Sequence, residues 1–542
     1  MNREREIERL KGETDWDFVI IGGGATGLGT AVDAALRGYR VALVEQHDFA
    51  KATSSRSTKL LHGGVRYLKQ GNIGLVRDAM RERGLVCNNA PHLSGTLGFV
   101  IPAYKWHERY FYGAGLKLYD RLAGKLSLGR SRLLSREETC ERLPTIDHRG
   151  LRGGVLYYDG QFDDSRMAVN LAQTAVEHGA VVVNYVRATS LIVEGKRVVG
   201  VALKDEETGA DFEVRAKCVI NAAGVFSDRI RKMETSDARP MLVASQGSHL
   251  ILPREFLPGE DALMVPKTED GRVIFALPWQ GRTLLGTTDL AVDETSIEPR
   301  PLEEEIDYLL EYAGKYFKEA PDKSDVLSTF SGLRPLVSVG KGGSTAALSR
   351  DHTIHVSDGG LVTILGGKWT TYRQMASDVL DQAEKVAEVE PRVCKTHDLR
   401  LHGWTSSVED GPFGLYGSDA GMLRKLKKES PELERRMHPK IELEAVQVVW
   451  AARFEMARTV EDVLSRRVRV LLHDARAAIE VAPAVAEILA KELGRDENWC
   501  RDQVDSFTKL ARRYLVAPDS SAGADEEESA SAEPRAARRH AS

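Results

Sequence analysis

Gly22, Gly24 and Gly27 stand between a short apolar run, Asp17-Phe-Val-Ile-Ile21, and a segment rich in small apolar residues, Ala25 to Arg37. Each glycine has a physical job in such a turn. The first permits the tight bend, the second lets backbone approach a pyrophosphate, and the third allows a helix to lie close against a strand. The start of that helix offers N–H groups and a positive dipole end to phosphates. Glu45 closes the next strand-like run, Arg40-Val-Ala-Leu-Val-Glu45, where its carboxylate can accept hydrogen bonds from a ribose diol. The chemistry implied is dinucleotide binding.

The fingerprint alone does not separate NAD from FAD. Its place early in the chain favours FAD, as does a late element, Gly366-Gly367-Lys368-Trp369-Thr370-Thr371, that aims a second helix start at a ligand. Such a dipole would stabilise the negative charge of a reduced flavin, although a plain strand-to-helix connection would use the same residues. A hydroxyl-rich stretch, Ala52-Thr-Ser-Ser-Arg-Ser-Thr-Lys59, follows the second strand. It runs into Leu60-Leu-His-Gly-Gly-Val-Arg-Tyr67, where His62 before two glycines suggests backbone pressed against a flat ligand. Lys59 and Arg66 add positive charge there.

These residues need a framework to position them. The chain has 542 residues, too many for a single ordinary core, with 42% hydrophobic and 29% charged residues. Its net charge of −5 argues against nucleic acid as a main partner, since phosphate binding draws on clustered excess basic charge. Five scattered cysteines with no CxxC spacing predict neither a disulfide framework nor a zinc site. The first 17 residues have no apolar core of a secretory signal, and no apolar stretch is long enough to span a membrane.

The opening strand–helix–strand pattern predicts a parallel sheet. A helix is expected over Asp163 to His178, then a strand at Val181–Val183 and a hairpin with arms Arg197 to Leu203 and Asp211 to Ala216. Lys217 to Ala222 is expected as a further buried strand. Turns at Asp270-Gly271 and Gln280-Gly281 predict an antiparallel meander from Asp261 to Asp289. The fold class is therefore α/β: a doubly wound, Rossmann-like dinucleotide-binding domain with an antiparallel-sheet substrate domain and a C-terminal helical cap. Expected boundaries are 15–95, 150–240 and 355–392 for the first, and 96–149 and 241–354 for the second. The cap takes 395–515 and a disordered tail 516–542.

Beyond spacing, several segments resemble the FAD-dependent respiratory glycerol-3-phosphate dehydrogenases, within the glycine/D-amino-acid-oxidase-like flavoproteins. They are Ile20 to Gly27, Thr53 to Ser55, Lys59 to Leu68, Ala90-Pro-His-Leu93, Phe162-Asp-Asp164 and Asn221-Ala-Ala-Gly224. Further on come Gly247-Ser-His249, Gly286-Thr-Thr-Asp289, Ser331-Gly-Leu-Arg-Pro335, Gly366 to Arg373 and the stretch Ala451 to Arg467. Two departures stand out. Asn221-Ala-Ala-Gly224 lacks the Thr that often precedes the glycine, and Arg56 stands where relatives usually carry a small residue.

The resemblance implies non-covalent FAD, oxidation of sn-glycerol 3-phosphate to dihydroxyacetone phosphate by hydride transfer to flavin N5, and electron delivery to membrane quinone. A peroxide-releasing oxidase using O2 and a non-catalytic FAD-bound scaffold are the alternatives. His62 and Arg334 are expected to flank the alcohol, with His62 taking its proton and His249 the runner-up for that role. Arg334 could instead be a structural ion-pair partner. Arg66 and Lys368 are the expected phosphate clamp, with Tyr67 and Thr287 as neutral donors. Cofactor contacts carried over by the same resemblance are Gly22, Gly24, Thr26, Gly27, Glu45, Thr53, Ser54, Ser57, Lys59, His62, Gly63, Gly64, Val186, Ala223, Gly224, Gly367, Lys368 and Thr370. No metal is expected.

Tyr104 to Leu122 interleaves aromatics with Lys105, Arg109, Lys117 and Arg121. Such a segment can lie at a bilayer interface or form a solvated face over an aromatic core, and the resemblance favours the interface. The expected location is the cytoplasm, on the inner face of the cell membrane, as a homodimer.

Overall fold

The computed structural model describes residues 1–64, 73–338 and 352–516. Two sheets dominate. The first has a parallel core: Trp16–Ile21 lies between Asp211–Asn221 and Val41–Val44, with Val362–Gly366 beyond the former and Val181–Val183 beyond the latter. Its central strands are buried along nearly their whole length, which is why they read as continuous apolar runs. Helices Ala25–Leu36 and Tyr372–Ala387 pack together over this sheet and share one apolar cluster with its strands.

The hairpin is present, but its second arm does not stop at Ala216. Asp211–Asn221 is one strand that pairs with Arg197–Asp205 at its start and with Trp16–Ile21 at its end. The two expected strands are therefore continuous. The charged leader forms a helix, Arg3–Gly12, fastened by Arg3 to Asp205 at 2.6 Å and to the Asn184 carbonyl at 3.0 Å.

The second sheet is mostly antiparallel and contains the expected meander as Ala262–Val265, Ile274–Trp279 and Arg282–Gly286. Leu242–Pro253 pairs with both Arg282–Gly286 and Ser328–Val337. Gly153–Phe162, expected with the dinucleotide-binding part, instead pairs along its full length with Ser94–Ala103 in this sheet. Leu60–Leu61 joins it at the edge, so the segment carrying His62 leaves one sheet and enters the other.

The C-terminal helices have a small apolar cluster of their own, around Phe413, Leu423 and Trp450, but most of their buried apolar surface joins that of the second sheet. Val448, Leu471, Val485 and Ala511 belong to the same apolar cluster as Trp279, Leu284 and Phe330 of the second sheet. Buried arginines tie this region to the first sheet as well. Arg466 and Arg467 hold Asp48 at 2.5 and 2.7 Å. Burial alone would raise the Asp48 pKa, but the paired guanidinium groups outweigh it and hold the carboxyl at about 2.

Candidate active site

Two cavities meet where the sheets adjoin. The smaller, about 370 Å3, runs along the ends of the first sheet's strands. Gly22, Gly24, Thr26, Glu45, Thr53, Ser54, Val186, Ala223, Gly224, Gly367 and Lys368 all line it. The larger, about 990 Å3, lies over the second sheet and is lined by Ser57, His62, Gly64, His249, Thr287, Arg334 and Thr370, among others. Thr53, Pro335, Gly367, Lys368 and Trp369 line both, so the two cavities adjoin.

The smaller cavity is a backbone-lined cradle. A Cβ on Gly22, whose φ is +115°, would sit 2.6 Å from the Ala222 carbonyl oxygen, and one on Gly27 would sit 1.9 Å from that of Gly22. Gly27 therefore contributes by close packing and does not line the cavity. Helix Ala25–Leu36 has no side-chain cap at Gly24, although Ala25 N–H donates to Ser54 Oγ at 3.0 Å. Both Glu45 oxygens are in use: Oε2 accepts from Gly23 N–H (2.6 Å) and Oε1 from His47 N–H (2.9 Å). Burial raises its pKa against these two donors. Each carboxylate oxygen keeps a second lone pair, enough for a diol. A pyrophosphate at the uncapped helix start and a ribose at Glu45 fit this cradle.

The reacting end is assembled from side chains. In the sheet register His249 lies opposite Gly286 on one neighbour and Phe330 on the other. A Cβ on Gly286 would come within 2.3 Å of the His249 ring, so the glycine makes its room. The imidazole stacks on Phe330 (centroids 4.6 Å apart) and its Nε2 meets Thr58 Oγ1 at 2.9 Å. Nδ1 is buried with no hydrogen-bond partner among the described residues. Burial, then the charges of Lys59 and Arg334, hold its pKa well below 6.5, so the ring is neutral at physiological pH.

Arg334 folds across Gly247, whose added Cβ would lie 2.3 Å from the guanidinium. It donates to the Gln246 carbonyl (3.3 Å), Thr287 Oγ1 (3.1 Å) and the Thr288 carbonyl (3.1 Å). Asp289 Oδ1 stands 3.7 Å away and accepts a hydrogen bond from Ser245. Arg334 is thus both held by an acidic neighbour and part of the cavity wall. His62 is placed by its N–H, which donates to Thr370 Oγ1 at 3.3 Å.

Three of the expected cofactor contacts are engaged by protein partners. Lys59 is fully buried, 2.7 Å from Asp164 and beneath the ring of Phe330, and lines neither cavity. It stabilises the wall behind His249. Ser57 lines the larger cavity, yet both its N–H and its hydroxyl donate to Asp164. Gly63 N–H donates to the Tyr119 hydroxyl, which in turn donates to Asp159, and a Cβ there would strike Met80. Arg66 and Tyr67 lie outside the described residues.

Other contributors carried little signal. Trp369 and Pro335 stand at the junction, and Trp369 is pinned by its indole N–H to the Ser54 carbonyl at 2.9 Å. Thr58 was visible only as one hydroxyl among several. Arg56, the departure in that loop, is buried and pairs with Glu298 at 2.6 Å and with the Tyr514 hydroxyl at 3.2 Å. Burial would lower its pKa, but the Glu298 charge outweighs this and keeps it ionised.

Helix Glu108–Ala123 is amphipathic. Gly113, Leu116, Tyr119 and Ala123 are buried, whereas Tyr110, Phe111 and Leu118 are exposed beside Lys117 and Arg121, with Trp106 just before the helix. No helix among the described residues is long and apolar enough to cross a membrane.

Comparison with known proteins agrees with this geometry. The family described as FAD dependent oxidoreductase matches residues 17–373, and the C-terminal domain of alpha-glycerophosphate oxidase matches residues 361–500. A mitochondrial glycerol-3-phosphate dehydrogenase of Arabidopsis thaliana is 41% identical over 92% of this chain and 86% of its own. The mitochondrial enzyme of that name from Homo sapiens is 39% identical over 95% and 75%. The solved glycerol-3-phosphate dehydrogenase from Bacillus halodurans complexed with FAD superposes with a TM-score of 0.77 at 29% identity, covering 95% of this chain and 98% of that one. With the nucleotide cradle, the second sheet and the C-terminal helices all accounted for, the chain belongs to the FAD-dependent glycerol-3-phosphate dehydrogenase family.

Proposed function

We propose that this flavoprotein oxidises sn-glycerol 3-phosphate to dihydroxyacetone phosphate and passes the electrons to a membrane quinone, at the inner face of the cell membrane. The observation that carries the reading is the adjacency of the two cavities: a cradle suited to FAD shares Thr53, Lys368 and Trp369 with a cavity whose wall bears His249 and Arg334. Bound FAD supplies a hydride acceptor at N5. The chain's own groups do the rest. An imidazole, His249 or His62, takes the hydroxyl proton. Arg334, held by Thr287, Thr288 and the Gln246 carbonyl, faces the oxygen as it becomes a carbonyl and stabilises its developing charge. Lys368 supplies cationic charge for the phosphate.

Relatives named as dehydrogenases over most of the chain favour a dehydrogenase over an oxidase. The family name matched at residues 361–500 favours an oxidase as second reading. Anaerobic addition of glycerol 3-phosphate should bleach the flavin absorbance; an unchanged spectrum rejects the substrate. Reoxidation should then be fast with a quinone analogue and slow with air, and the reverse order would favour the oxidase. The exposed aromatic and basic face of helix Glu108–Ala123 supports peripheral attachment to anionic lipid.

A further inference from the structure

The two ring nitrogens of His249 are not equivalent. Nδ1 is buried, with no surface for a ligand to reach and no hydrogen-bond partner among the described residues. Nε2 meets Thr58 Oγ1 at 2.9 Å. A neutral imidazole divides one proton and one lone pair between these atoms. A proton on Nδ1 would leave a buried N–H with no acceptor, among the rarest unsatisfied groups in a folded protein. A lone pair there is the lesser loss. The proton therefore sits on Nε2, which donates it to the Thr58 oxygen. Burial, with the cations of Lys59 and Arg334, opposes a second proton that would charge the ring. The ring is also fixed in place, stacked 12° from parallel on Phe330.

That orientation decides what the Thr58 hydroxyl does. Its oxygen accepts from His249, the one hydrogen-bond partner it has among the described residues, so its own O–H is left to donate elsewhere. Thr58 is half-buried and lines the larger cavity together with Thr287 and Arg334. Gly247 and His249 lie on one face of Leu242–Pro253, so Arg334, folded across Gly247, stands beside the imidazole along the strand. The loop that delivers Thr58 is strapped to the neighbouring strand. Thr53 Oγ1 donates to the Leu333 carbonyl at 2.7 Å, and a Cβ on Gly332 would come within 2.7 Å of the Arg56 carbonyl oxygen. We infer that Thr58 is a substrate contact, its O–H donating to a phosphate or reacting oxygen of the bound substrate, and that His249 is the positioning residue that aims it. The inference rests on the proposed substrate and adds a donor to its site. With its Nε2 proton turned to Thr58 and Nδ1 sealed, His249 has no lone pair to offer the alcohol, and of the two histidines His62 is left to take the proton.

Thr58→Val keeps the outline of the side chain and removes the hydroxyl. Holoenzyme of this variant is mixed anaerobically with glycerol 3-phosphate and the bleaching of the flavin is timed. A lost bond to the reacting oxygen should slow reduction at saturating substrate by about tenfold or more. A lost bond to the phosphate should instead raise the half-saturating concentration by about the same factor. Thr58→Ser should recover most of either loss. The dependence of the rate on pH should keep its inflexion, because His249 is not the group that titrates. Unchanged rate and half-saturation in Thr58→Val, no recovery in Thr58→Ser, or an inflexion displaced along the pH axis would each overturn the inference. Nitrogen NMR of holoenzyme carrying labelled histidine provides a second readout, with the His249 signals identified by their loss in His249→Gln. They should show the proton on Nε2, and a proton on Nδ1 would overturn the orientation. That spectrum needs no substrate, so failure of glycerol 3-phosphate to bleach the unaltered flavin would reject the proposed substrate and leave the His249 result intact.

Discussion

The two adjoining cavities are built on opposite plans. The nucleotide end is backbone: residues 22–27 are contiguous, their glycines are demanded by contacts of 2.6 and 1.9 Å to an added Cβ, and Glu45 is oriented by two main-chain N–H groups. The reacting end is side chain. Thr58, His249, Thr287 and Arg334 come from four separated stretches and meet only because Leu242–Pro253 pairs with strands on both sides. Recognition by backbone tolerates side-chain change as long as the glycines remain. Recognition by side chains stands or falls with each member.

The comparison can be broken at several points. The largest effect is expected for Arg334→Ala, which removes the guanidinium from the reacting end and leaves the cradle intact. Turnover should fall on the order of 10^3-fold, as for loss of a charge-stabilising donor, while FAD stays bound. Near-normal turnover, or loss of FAD, would merge the two ends. Lys59→Met is expected next, with a loss of about 3 kcal/mol in denaturant unfolding, because it leaves Asp164 buried with one cation fewer. A change within error would show that Arg469 alone suffices there.

Gly27→Val tests the other end. The clash with the Gly22 carbonyl should cost about 2 kcal/mol and release FAD on gel filtration, measured as a falling 450:280 nm absorbance ratio with the His249 wall unaltered. Retained flavin would make the cradle less exacting than its geometry. The smallest effect concerns His402, away from both cavities, between Asp419 at 2.7 Å and Glu177 at 2.5 Å. Burial opposes its charge, but the two carboxylates outweigh this and raise its pKa to about 9. A raised histidine stabilises fully below its unfolded value near 6.5 and loses that contribution as pH rises through about 9. Glu177 is half exposed, so screening reduces the contribution to on the order of 1 kcal/mol. Unfolding curves of the unaltered protein and His402→Gln should converge at pH 10 and separate at pH 6; parallel curves would refute the assignment.

Particular residues show how far the sequence could be read. The strand Trp16–Ile21, the helix Ala25–Leu36 and the meander were legible because periodicity and turn residues are local signals. The pairing of Gly153–Phe162 with Ser94–Ala103 is not legible, because an apolar strand carries no mark of its partner. The ion pair of Lys59 is not legible either, because its partner Asp164 is 105 residues away.

By itself, then, the sequence determined the nucleotide end and the family, since a tight phosphate-binding turn needs only neighbouring residues and the missing side chains of glycine. The tertiary structure alone decided that Gly286 leaves room for the His249 ring, that Gly247 leaves room for Arg334, and that the two cavities adjoin at Lys368 and Trp369. Those are matters of strand register, where a shift of one residue turns a side chain to the opposite face.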